Sequence, residues 1–183
     1  MVEIDTSLLS YLNKMKISEQ EKNRLEGIYQ NFLHHPLVEK MKEVPMHRGS
    51  NCYMHSFRVA RKAVKLGLKK RKVNLEAILT AAILHDYYLY DWRVDRSKKR
   101  HHGQRHPYIA AEQAKRDFEV DELIQTIIKS HMWPMNFKEY PKTKEAKVLS
   151  LCDKGVALRE ALCSKRHKTK RWAKYELEIK TLF

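Results

Sequence analysis

The segment Ala77-Ile78-Leu79-Thr80-Ala81-Ala82-Ile83-Leu84 is almost continuously apolar, and it ends on His85-Asp86. A helix that is apolar on every side must be buried on every side. The run therefore predicts a central element around which the rest of the chain packs. It also carries two ionisable side chains to the end of that element. Their desolvation is unfavourable unless a partner compensates. An imidazole beside a carboxylate is a natural half-site for a divalent metal ion.

The surrounding sequence reads as helix throughout. Ser18-Glu19-Gln20-Glu21 forms a capping box, opening a helix with Leu25, Ile28, Tyr29 and Phe32 at helical spacing. It stops near His34-His35, because Pro36 disfavours helix at the residue before it. Ser50 or Asn51 caps a helix carrying His55, Val59, Ala63 and Leu66 on one face, with Gly67 at its end. Asn74 caps the apolar run. Tyr87 to Gln104 is the longest irregular stretch, aromatic first and then basic. Pro107 suits a first helical position, which puts His106 at or beside an N-cap. That helix runs to about Phe118. Asp121 caps the next, with Leu123, Ile124, Ile127, Ile128 and His131 along its stripe, and Trp133-Pro134 ends it. Thr143 caps another, with Leu149, Asp153, Val156 and Ala157 on a shared face. A last helix spans 168–181.

No segment alternates as a strand does, and five Gly and five Pro are too few for a turn-rich all-β fold. The fold class is all-α, in one domain. An N-terminal helical segment (1–44) packs on a core (45–160), followed by a basic C-terminal helix (161–183).

The 183-residue chain carries a formal charge of +15. That excess attracts anions: nucleotides, phosphorylated metabolites or nucleic acid. It is concentrated in Lys65 to Lys72, Arg96 to Arg105 and Lys165 to Lys174. Many of these charges belong to solvated helix ends. The stretch 96–105 is the most suggestive, since it leads straight into His106. Three cysteines with no Cys-x-x-Cys spacing read as reduced thiols. The N-terminus lacks the pattern of a signal peptide, and no apolar run is long enough for a membrane span. A soluble, cytoplasmic protein is expected.

His55, His131 and Asp153 each lie on the apolar stripe of their own helix, His85-Asp86 closes the buried run, and His106 opens a helix. One histidine on an apolar face is usually a satisfied core residue. Six such residues on five segments point instead to convergence. Nitrogen and carboxylate donors without thiolate suit Fe, Mn, Co, Ni or Zn.

The ordered motifs are Tyr53-Met54-His55-Ser56-Phe57-Arg58-Val59-Ala60, Leu84-His85-Asp86, His106-Pro107, Ser130-His131-Met132-Trp133-Pro134 and Leu151-Cys152-Asp153-Lys154. Over about residues 45–160 this set resembles the HD-domain metal-dependent phosphohydrolase superfamily. The aromatic continuation Tyr87-Tyr88-Leu89-Tyr90-Asp91-Trp92 resembles a subgroup of small bacterial HD hydrolases. The resemblance implies an HD-type helical bundle with His55, His85, Asp86 and Asp153 as a core metal site. His106 and His131 would complete a second site, with Asp86 bridging two divalent ions. It further implies hydrolysis of a nucleotide or other small phosphate ester or anhydride by a metal-activated hydroxide. Asp86, His106 and His131 would act in catalysis. Lys154 would face a phosphate or form an ordinary salt bridge. Two alternatives remain open: an HD-type di-iron oxygenase, and a nucleic-acid-binding or regulatory module with a structural metal site.

Other residues carry weaker expectations. Arg48 and Arg58 are lesser phosphate contacts. Asp91 supports a ligand histidine or is an exposed loop acid. The tyrosines after the doublet are core filler more often than base-stacking groups. Trp133-Pro134-Met135 walls a pocket or simply terminates a helix. His101 and His102 are expected in solvent, as is His167. His34 and His35 close a helix, and His47 precedes the first ligand helix.

Overall fold

The computed structural model describes residues 12–15, 17–46, 50–91 and 101–166, with backbone alone at 163–166. Its elements are α1 (Glu19–Leu33), α2 (Pro36–Glu39), a 3-10 turn (Lys40–Glu43), α3 (Cys52–Gly67), α4 (Leu75–Leu84), α5 (His102–Phe118), α6 (Glu122–Ser130) and α7 (Lys144–Arg166). No strand occurs among the described residues; an isolated bridge joins Pro45 and Asn51. The fold is the all-α helical bundle that the sequence implies.

The caps form as their chemistry requires. Side-chain oxygens of Ser18, Asn51, Asn74 and Asp121 each accept from the backbone N–H three residues on. Thr143 does the same for Ala146 at the start of α7. Each satisfies a donor that the helix itself cannot.

Helix α4 is the axis of the bundle. All of its residues except Glu76 are buried. It packs against α1, α3, α6 and α7, and touches α5 near its end. At Gly67 of α3 a Cβ would stand 2.8 Å from a Leu75 methyl and 3.0 Å from one of Ile78. Gly67 thus ends α3 against the first turn of α4. Leu25 and Tyr29 bring the N-terminal helix onto this core. Tyr87 and Tyr88 are also core residues, 0% and 1% exposed, while Trp92 lies outside the described residues.

One expectation about a boundary changes. Helix α5 begins at His102 rather than at Pro107, so His106 is a helical residue and Pro107 lies inside. Pro107 removes one bond, the one to the Gly103 carbonyl. The turn before it holds through Gln104 and Arg105 N–H groups on the His101 carbonyl, both 3.0 Å. A Cβ on Gly103 would overlap the Met135 sulfur, so a larger residue there needs that exposed side chain to move. At the other end, α7 runs to Arg166. The helix expected over 168–181 lies outside the described residues.

Candidate metal centre

Five segments deliver the six expected residues to one buried point. His55 comes from the first turn of α3, and His85-Asp86 follow the last turn of α4. His106 comes from α5, His131 caps α6, and Asp153 comes from α7. All six are buried, none more than 8% exposed.

The carboxylate of Asp86 sits between two groups of imidazoles. Its Oδ2 is 3.3 Å from His85 Nε2 and 3.9 Å from His55 Nε2. Its Oδ1 is 3.3 Å from His106 Nε2 and 3.9 Å from His131 Nε2. Asp153 Oδ1 closes the first group, 3.1 Å from His55 Nε2 and 3.7 Å from His85 Nε2. Three overlapping triads can each hold a metal ion: His55-His85-Asp86, His85-His131-Asp153 and Asp86-His106-His131.

The tautomers follow from the other face of each ring. The Nδ1 of His85, His106 and His131 lies 2.8, 3.0 and 2.7 Å from the carbonyls of Ala82, His102 and Ile128. A carbonyl only accepts, so each Nδ1 donates, and a neutral ring then turns an unprotonated Nε2 to the centre. His55 does the same through Glu160, whose Oε2 is 3.0 Å from Nδ1. The Nε2 of His85 has no hydrogen-bond partner. It is near Asp86 and Asp153, but neither is aligned to bond it, so their attraction is electrostatic.

Four imidazole Nε2 atoms and two carboxylates thus converge where water is scarce. Burial disfavours the ionised carboxylates, yet the charge of His85 and the nearby His106 imidazole hold Asp86 well below the usual range. Asp153 is likewise depressed, against burial, by a hydrogen bond from His55 and by the charge of His85. Burial opposes charging His55, but hydrogen bonds to Asp153 and Glu160 lift it to about 9. Burial and the charges of His85 and His106 pull His131 down to about 3. Such a cluster needs cations, supplied by protons or by metal ions. The orphaned His85 Nε2 and the hard-to-borderline donor set fit divalent metals.

The family model of the HD domain matches residues 52–157, more than half of the chain. The chain belongs to the HD-domain family. No curated protein and no solved structure matches it significantly. The HD match begins at the first residue of α3 and ends four residues after Asp153, so it contains all six convergent residues.

The HD centre has neighbours that the sequence reading placed elsewhere. Lys154, expected to face a phosphate or a salt-bridge partner, is engaged with its own surroundings. Its ammonium donates to the carbonyls of His131 and Ser150 and to Ser150 Oγ, at 2.8, 3.2 and 2.6 Å. Burial lowers its pKa. Arg58 donates to Glu160 Oε1 at 2.7 Å and to Ser50 Oγ at 3.1 Å. His102, expected in solvent, stacks on His106 at 4.7 Å and shares a hydrogen bond with Tyr90. Burial and the charge of His106 pull it down to about 4. Asp91 is half-buried, and Arg48 and His47 lie outside the described residues.

Glu160 and His102 are the two neighbours that sequence reasoning missed. Both had a signal in their spacing. Glu160 follows Asp153 by seven residues and His102 precedes His106 by four, so each shares a helical face with a convergent residue.

Proposed function

We propose that this HD-domain protein is a metal-dependent phosphohydrolase, with two divalent ions held on either side of Asp86. His55, His85 and Asp153 would complete one site, and His106 with His131 the other. The observation that carries this reading is the common orientation of the four imidazoles. Every Nδ1 is committed to an acceptor, and every Nε2 faces the two oxygens of Asp86.

Divalent ions in such a pair supply Lewis acidity, lowering the pKa of water and neutralising phosphoryl charge. The chain's own residues supply rigidity. Backbone carbonyls at three helix ends fix the rings of His85, His106 and His131, so little reorganisation accompanies charge development. Lys154 and Ser150 hold the carbonyl of His131 and so set where its ring stands. The proposed substrate is a nucleotide or another small phosphate ester or anhydride, consistent with the chain's charge of +15. The exposed run Lys69-Lys70-Arg71-Lys72 follows the far end of α3. His55 and Gly67 are separated by about 18 Å along the helix axis, at about 1.5 Å per residue. That run serves long-range attraction rather than direct contact with the reacting phosphate.

The test is phosphate release from a panel of nucleotides and simple phosphate esters, with Mn2+, Fe2+ or Co2+ restored to the chelated protein. Turnover that disappears in His85→Ala and Asp86→Asn supports the reading. No release from any substrate by fully metallated protein overturns it. The same nitrogen and carboxylate donors also suit di-iron oxygen chemistry. Oxygen uptake by the iron form, without phosphate release, would favour that reading instead.

A further inference from the structure

Glu160 stands apart from the other groups that orient the histidines. His85, His106 and His131 rest on backbone carbonyls, whereas His55 rests on a carboxylate. Glu160 is 6% exposed and lies three residues beyond the HD match. With Asp153 two turns earlier on α7, it grips both nitrogens of His55, at 3.0 and 3.1 Å. One helix therefore fixes both the position and the tautomer of this ring. Arg58, one turn after His55 on α3, neutralises the second Glu160 oxygen and ties it to Ser50.

From this arrangement we infer that Glu160 is a positioning residue that makes the His55-His85-Asp86-Asp153 site the tighter of the two metal sites, and the first to fill. A carboxylate behind a ligand imidazole orients the ring and makes it a better donor. The site beyond Asp86 Oδ1 has no such support on His106 or His131. This inference rests on reading the cluster as a metal centre and does not depend on what the centre hydrolyses.

The experiment is a calorimetric titration of the chelated full chain with Mn2+ or Zn2+, comparing wild type, Glu160→Gln, Glu160→Asp and Arg58→Met. The absorption spectrum of bound Co2+ gives a second readout of the tighter site. Glu160→Gln is expected to weaken the tighter site about 10–100-fold, the usual effect of losing such a partner, and to leave the weaker site within about twofold. Glu160→Asp keeps the charge but shortens the reach, so it should lie between wild type and Gln; it also carries the test should the Gln variant not fold. A Glu160 that only holds Arg58 would give another pattern. Glu160→Gln and Arg58→Met would then lower Tm alike and leave metal affinity and the Co2+ spectrum unchanged. That outcome, or equal weakening of both sites, overturns the inference. Normal two-step binding by a protein that releases no phosphate would instead overturn only the hydrolase reading.

Discussion

The Nε2 atoms of His106 and His131 lie 3.0 Å apart, and each ring donates its Nδ1 proton to a backbone carbonyl. Two neutral rings in this arrangement would point lone pairs at each other. The contact is favourable only with a cation in it, either a proton on one ring or a metal ion near both. Chelated protein should therefore be less stable than metallated protein. At metal 100-fold above Kd the gain is about 2.7 kcal/mol, or roughly 5–10 °C in Tm for a chain of this size. Thermal unfolding with and without Mn2+ or Zn2+ checks it. An unchanged Tm at saturating metal would count against the centre.

The chelated protein should have a definite pH profile. His55 is raised from 6.5 to about 9 by Asp153 and Glu160, despite burial. Its stabilisation is complete below about pH 6.5 and is lost as pH rises through about 9. Asp86 and Asp153 are depressed, so their contribution is present above about pH 4 and is lost on acidification. His131 and His102, held down to about 3 and 4, oppose acidification below about pH 6.5, so metal-free protein should be most stable near pH 6.5, and Tm should fall from there to pH 9.5. A Tm flat over that upper range would contradict the His55 pairing.

Metal loading must displace the proton from His55 Nε2. Below about pH 9 binding should release protons, more at pH 7 than at pH 10. Calorimetry in two buffers of different ionisation enthalpy reads this directly. Equal heats in both buffers at pH 7 would show that no proton leaves.

Lys154→Met separates an anchoring role from a phosphate contact. Removing the ammonium leaves Ser150 Oγ, 2.9 Å away, as the remaining side-chain donor on the His131 carbonyl. A weakened buried hydrogen-bond group costs about 1–3 kcal/mol. The expected result is a lower Tm and lower kcat with KM within about twofold. A large rise in KM with stability intact would instead assign Lys154 to the substrate.

Ile78 is fully buried in α4. Ile78→Ala should destabilise by about 2–5 kcal/mol, while the metallated fold retains its metal stoichiometry. Denaturant unfolding and metal analysis test the two halves separately.

Much of this was legible in the chain. The apolar run 77–84 had to be central because no face of it is polar, and α4 is central. Cap residues marked helix starts because each supplies an oxygen where backbone donors are unpaired. The six convergent residues were legible from their ordered spacing. Pro107 misled because the rule for first helical positions is local, while the turn before it is already helical, with Gln104 and Arg105 N–H groups on the His101 carbonyl. The bonds of Lys154 to the carbonyls of His131 and Ser150 were not legible, because backbone acceptors leave no mark in the side-chain sequence.

The sequence by itself determined that the chain is helical, that its core lies around residues 77–84, and that imidazoles and carboxylates meet at the end of that core. These properties depend on periodicity and capping, which act over a few residues. Only the tertiary structure decided which nitrogen of each histidine faces the centre, that Asp86 divides its oxygens between two pairs of rings, and that Glu160 stands behind His55. Those choices depend on atoms brought within about 3 Å by helices distant in sequence, and hydrogen bonding at that range is directional.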